Sequence, residues 1–163
     1  MGGPDYPKLI PQKFCVVSGS ATSKLSPLNA FDLALQRAGI ANCNIVRVSS
    51  IIPPTATLTK LPKSLTPGTI LFTTMAKMMG KGEIIGTGIA WSWGTTESGE
   101  RYGIIAEAQG RDVGSLEEEL IDRLKAMASA RGLKLGALNV SKEIIEIPED
   151  HYGCSFSALI FLP

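Results

Sequence analysis

Histidine is almost missing from this chain, with one in 163 residues, and cysteine is scarce, with three. A structural zinc site takes about four nitrogen or sulfur ligands, often in paired Cys-x-x-Cys spacing. Cys15, Cys43 and Cys154 lie far apart and show no such pairing, so no metal is expected. Each sits in an apolar run, as in Phe14-Cys15-Val16-Val17, and reads as a small buried hydrophobe suited to a reducing cytoplasm. An excess of one charge is lacking too, since 16 basic residues stand against 15 acidic ones, a net +1. That balance makes no field to draw nucleic acid or a membrane surface. No apolar run approaches the roughly 20 residues that span a bilayer. The start, Met1-Gly2-Gly3-Pro4-Asp5-Tyr6-Pro7, lacks the basic residues and apolar core of a secretory signal. Tyr6 also stands where a myristoylation signal wants serine or threonine. A soluble, cytoplasmic protein is the expectation.

What is present fits one domain over residues 1–163, with a hydrophobic fraction of 44%. A chain of this size buries about 70% of its unfolded surface and needs no staple. Two helices are predicted. The first opens at Ser26 as N-cap, with Pro27 at the first helical position, and closes at Gly39. Its apolar residues Leu28, Phe31, Leu35 and Ala38 fall at helical spacing. The second opens with the capping box Ser115-Leu116-Glu117-Glu118 and ends at Gly132. Leu116, Leu120, Leu124 and Met127 form its apolar stripe, with Glu118, Asp122, Lys125 and Ser129 opposite. Strand patterns cover Lys13–Ser18, Asn44–Val48, Gly68–Lys77, Glu83–Trp91, Tyr102–Ala108, Ser141–Ile147 and Cys154–Leu162. Groups of strands with single helices between them indicate an α+β fold, an antiparallel or mixed sheet covered by helices.

One stretch fits a structural role poorly: Asn44-Ile45-Val46-Arg47-Val48-Ser49-Ser50-Ile51-Ile52-Pro53-Pro54. A strand runs into two serines and leaves through two prolines. Ile52 precedes a proline, so it is extended, and the chain quits any ladder at Pro53. A bond held there is a place to store backbone strain. Chemically, the Ser50 hydroxyl pressed against the Ser49 carbonyl is an internal nucleophile. Alignment of that kind is worth about 7–11 kcal/mol of barrier. Elimination from the resulting ester leaves a pyruvoyl group at residue 50. A donor to the developing oxyanion lowers the barrier further, and Asn44 is a candidate if its amide folds back. The residues alone leave two readings open, a plain loop or a bond arranged to break.

Three blocks carry a resemblance: Ser26-Pro27-Leu28-Asn29-Ala30-Phe31-Asp32, Asn42 to Pro54 with its Arg47-Val48-Ser49-Ser50-Ile51-Ile52-Pro53-Pro54 core, and Tyr152-Gly153-Cys154-Ser155-Phe156-Ser157-Ala158. Ala106-Glu107-Ala108-Gln109-Gly110 adds a strand bearing an acid. In these the chain resembles the pyruvoyl-dependent arginine decarboxylases. The resemblance implies self-cleavage between Ser49 and Ser50 into a β chain, 1–49, and an α chain, 50–163, that begins with pyruvoyl. It implies a four-layer α/β/β/α sandwich of mainly antiparallel sheets, assembled as a homotrimer with active sites between neighbouring subunits.

By position the resemblance makes Asn44 a residue assisting processing, Glu107 the proton donor and Asp32 a substrate contact. The reaction implied is decarboxylation of L-arginine to agmatine and CO₂, the pyruvoyl group acting as electron sink. A carboxylic acid at Glu107 can protonate the carbanion, and a helix-borne Asp32 can meet a guanidinium bidentately. By alternation alone, Glu107 could equally face solvent. His151 has no nucleophile to pair with and reads as a loop residue. Ser18–Leu25, less glycine-rich than the family, and the Trp91–Arg101 hairpin leave the substrate open among arginine, aspartate, histidine, ornithine and lysine. A non-catalytic oligomeric binding module of the same fold is the reading from another class.

Overall fold

The computed structural model describes residues 9–162. The N-terminal stretch read above for signal and acylation motifs lies outside them. Two long strands, β1 (Lys13–Ser23) and β10 (Tyr152–Leu162), pair antiparallel from Lys13 opposite Leu162 to Ser23 opposite Tyr152. On its other side β10 pairs with β5 (Ile70–Lys81). Short parallel strands close the edges, β2 (Asn44–Arg47) beside β5 and β4 (Thr57–Leu58) beside β1. The second sheet is built on β6 (Ile84–Thr95), which pairs with β7 (Arg101–Gly110) on one side. On the other side of β6 lie β8 (Lys134–Leu135) and β9 (Asn139–Glu146), and β3 (Ile51–Ile52) takes the free edge of β7. The fold is α+β, with two mostly antiparallel sheets and the helices α1 (Pro27–Arg37) and α2 (Leu116–Ala130).

Three apolar clusters hold these elements. Ala30 and Ala34 of α1 pack with Leu71, Met75, Phe156 and Ile160 of the first sheet. Leu116, Leu120, Leu124 and Ala128 of α2 pack with Ala90, Ile104, Ala106 and Ala108 of the second. Phe14, Leu159 and Phe161 of the first sheet meet Ile52, Ile89, Trp91 and Ile105 of the second in a shared core. Each leucine of α2 removed from solvent on folding contributes about 2 kcal/mol. Strand glycines let both helices sit close. A Cβ at Gly19 would fall 2.4 Å from the Ala34 carbonyl oxygen, and one at Gly88 would fall 2.4 Å from Leu120 Cδ1.

Helix α1 is capped as expected, the Ser26 hydroxyl accepting from the Asn29 amide at 3.1 Å, and Gly39 leaves it with φ +80. Its buried stripe differs from the expected one. Leu28 is 71% exposed, and the centre of the stripe is Ala30 and Ala34, with Phe31 and Leu35 half-buried. Small residues face the sheet because the helix backbone approaches Gly19 so closely. In α2 the expected capping box does not close, since the Ser115 side chain donates to Asp112 O at 3.3 Å instead. The stripe there is as read, except that Ala128 is buried where Met127 is half-buried. All seven expected strands form, several running longer than read, as in Lys13–Ser23 and Ile70–Lys81. The two-residue strands β3, β4 and β8 went unread. Cys15 and Cys154 are buried and all three cysteines are free, with Cys15 and Cys154 thiols both pushed up to about 11 by burial.

Candidate active site

The Ser49–Ser50 bond lies at the step between the two sheets. Arg47 ends β2 opposite Thr73, and the Val48 amide still donates to Thr73 O at 3.0 Å. One residue later the Ser49 carbonyl oxygen accepts from Thr74 Oγ1 at 2.9 Å. The Ser50 carbonyl then accepts from the Ile105 amide of β7 at 3.0 Å, and Ile51 pairs with Ile104. The backbone before the bond belongs to one sheet and the backbone after it to the other. Pro53 ends β3 after two residues, as a residue without an N–H must.

The expected backbone strain is not of the left-handed kind. Among the described residues no non-glycine residue has positive φ, and none of the peptide bonds is cis. The segment is positioned by hydrogen bonds on both flanks instead.

Glu107 lies on β7 two residues beyond Ile105, so the two side chains share the face turned towards the first sheet. Its side chain is 41% exposed, and Oε1 stands 3.3 Å from Arg47 Nη2. Arg47 also donates to the Met75 carbonyl, so one guanidinium links β5 to the acid on β7. The Glu107 carbonyl accepts from Arg123 Nη1 at 2.7 Å, which ties β7 to α2 at the same residue. Glu107 therefore sits at the mouth between the sheets rather than pointing straight to solvent.

The other two candidates are elsewhere in the chain. The Asn44 amide donates to Gly68 O at 3.2 Å, at the start of β2. Five extended residues separate it from Ser49, about 16 Å of strand. It does not fold back onto the bond of its own chain. Asp32 is exposed on α1, its Oδ2 accepting from Gln36 Nε2 at 2.6 Å. With Ala30 and Ala34 as the buried stripe, Asp32 falls on the outward side of the helix. His151 lies outside any strand or helix, with Nδ1 2.6 Å from Asp150 Oδ1. No group of three or more potential metal ligands gathers among the described residues.

A cavity of about 660 Å³ borders the bond, lined by Val48, Ser49, Ile51, Ile70, Phe72 and Phe161 among others. A larger cleft of about 850 Å³ between Trp93, Arg101 and Leu133 contains none of these site residues. Sequence reasoning missed Thr74 and Arg47. Thr74 looks like any strand threonine until β5 is known to lie beside β2.

An α+β protein that carries a Ser-Ser bond from one sheet to the other, with a half-buried acid on the receiving strand, is the class this geometry defines. The family model of the pyruvoyl-dependent arginine decarboxylases matches residues 13–163. The chain belongs to that family. A pyruvoyl-dependent arginine decarboxylase of Methanococcus vannielii is 35% identical over 159 residues, covering 94% of this chain and 92% of the relative. Proteins of the same description from Methanopyrus kandleri and Methanothermobacter thermautotrophicus are 35% and 31% identical, over 93% and 94% of this chain and 97% and 99% of their own.

Proposed function

We propose that this chain is the precursor of an arginine decarboxylase that cuts itself between Ser49 and Ser50. The observation that carries the reading is the Ser49–Ser50 bond itself, spanning two sheets with both carbonyls hydrogen-bonded. Cleavage there yields a β chain of residues 1–49 and an α chain of residues 50–163 whose first residue is pyruvoyl. The residues fit that group, because Ser50 has the β-hydroxyl that elimination requires and Ser49 supplies the carbonyl it attacks. When formed, the pyruvoyl group supplies a ketone that takes up the electrons released as CO₂ departs.

The chain's own residues do the rest. Glu107, two residues from the strand position that holds Ser50, carries the proton for the substrate's α-carbon. Arg47 holds that carboxyl group at the mouth between the sheets. Asp32, exposed on α1, meets the guanidinium of arginine. No contact within one described chain joins Asp32 to Ser50, which supports a site completed by a neighbouring subunit.

The layering α1, first sheet, second sheet, α2 supports the four-layer α/β/β/α sandwich. Trimeric assembly finds support in the apolar skin beside the bond. Val46, Val48, Ile51, Ile70 and Phe72 are all exposed, between 37% and 54%. Contiguous apolar surface of that kind marks an interface. Asn44, too far along its own strand, assists processing from a neighbour's copy in this arrangement. No helix among the described residues is long and apolar enough to cross a membrane. Three free cysteines suit the cytoplasmic setting we assign to it.

The test is product release. The purified enzyme is offered arginine, ornithine, lysine, aspartate and histidine in parallel. Agmatine and CO₂ from arginine alone support the reading. Turnover of another amino acid in preference to arginine replaces the substrate and keeps the chemistry.

A further inference from the structure

We infer that Thr74 is a catalytic donor in self-processing, its hydroxyl holding the oxyanion that forms on Ser49 when Ser50 attacks. The inference rests on the cleavage reading above and deepens it by a residue. Thr74 is 2% exposed on β5, facing Leu159 across the pair with β10. Leu159 belongs to the core shared by the two sheets, so the threonine hydroxyl lies between them. From there it donates to the Ser49 carbonyl oxygen at 2.9 Å. The oxygen cannot drift from it, because the Val48 amide is tied to Thr73 O and the Ser50 carbonyl to the Ile105 amide, both at 3.0 Å. A β-branched side chain in a strand is also stiff at χ1. A buried donor is thus already aimed at the one atom that gains charge in the first step. Asn44, the donor read from the sequence, is bonded to Gly68 instead.

The steps balance as follows. Ser50 Oγ loses its proton and bonds to the Ser49 carbonyl carbon, while the carbonyl π pair moves onto the oxygen that Thr74 contacts. Collapse of this tetrahedral species breaks the Ser49 C–N bond, the nitrogen takes up a proton, and an ester remains. Loss of the Ser50 α-proton and rupture of Cβ–Oγ release Ser49 as a carboxylate and leave dehydroalanine. That residue tautomerises, adds one water and expels one ammonia to become pyruvoyl. Thr74 acts only in the first step, where removal of one preorganised oxyanion donor costs about 10²–10³ in rate.

Thr74→Val keeps the volume and removes the donor, and Thr74→Ser restores it. Intact mass is followed over time, with circular dichroism and thermal unfolding to establish that each variant is folded. The valine variant is expected to cleave at least about 100-fold more slowly than wild type, with the serine variant within about tenfold. Hydroxylamine, which splits esters, should raise a Ser49 hydroxamate fragment from wild type and Thr74→Ser but not from Thr74→Val. If valine prevents folding, Thr74→Cys, a weaker donor of similar size, carries the same expectation of slowed cleavage. A folded valine or cysteine variant that cleaves at the wild-type rate overturns the assignment of Thr74. A wild-type chain that never cleaves overturns the cleavage reading beneath it, and the two failures are told apart by that control.

Discussion

The backbone amide of Ile105 donates to the carbonyl oxygen of Ser50 at 3.0 Å, and this one bond transfers the chain from the first sheet to the second. It has a chemical consequence. Glu107 is two residues further along the same strand and on the same face, about 7 Å away by strand rise. In the proposed reaction, the strand that receives the new α-chain terminus also delivers the acid. On that proposal, processing and decarboxylation share a scaffold yet draw on different side chains.

That separation predicts a split phenotype for Glu107→Gln. The variant should process normally, since Glu107 touches neither carbonyl of the scissile segment. Its decarboxylation rate should fall by about 10²–10⁴, the usual worth of a positioned general acid. Intact mass and agmatine release, measured on one preparation, check both halves.

The apolar skin beside the bond predicts an assembly-dependent enzyme. Replacing exposed Ile70 and Phe72 with aspartate puts two charges on the surface assigned to the subunit contact. Light scattering should give three protomers for wild type and one for the double variant, with decarboxylation lost in the latter. Neither side chain faces either buried helix, so the protomer should remain folded.

Gly19→Val tests how α1 is seated. A Cβ there would lie 2.4 Å from the Ala34 carbonyl oxygen, which is backbone and cannot turn aside. Overpacking of this kind costs about 1–3 kcal/mol. The denaturant midpoint should fall accordingly, while Gly99→Ala, on an open turn with φ +87, should lose less.

Thiol chemistry offers a check on packing. Burial pushes Cys15 and Cys154 up to about 11, so both stay protonated and shielded at pH 8. Cys43 is raised as well but only half-buried. In native protein at pH 8, alkylation should reach Cys43 first. After unfolding, all three should react at similar rates.

Much of this was legible beforehand, and what was not has a common physical cause. Helices and long strands announced themselves through caps and periodicity, because those signals are local. The Ser26 cap and the Gly39 exit are cases of this. The two-residue strands escaped because their pairing is set by distant partners, Ile51 with Ile104 and Thr57 with Lys13. Leu28 was misplaced because helix spacing marks an apolar side but cannot tell which part of it meets a glycine on the neighbouring strand. The serine pair and the acid were visible as residue types in a family pattern. Thr74 was not, and Arg47 stood in the pattern without a contact to explain it, since both contacts exist only once β5 lies between β2 and β10. Asn44 shows the converse: it is near the bond in sequence, yet along an extended strand its amide donates to Gly68 O.

The central claim is that the Ser49–Ser50 bond breaks itself and leaves a carbonyl group at residue 50. Intact mass spectrometry of the freshly purified protein tests it most directly, with Ser50→Ala alongside. The account predicts two fragments from wild type, residues 1–49 and 50–163, the second lighter by one ammonia than a serine-terminated chain and resistant to Edman degradation. The alanine variant should remain a single chain. Wild type that persists as one intact chain, or an alanine variant cut at the same place, would contradict it.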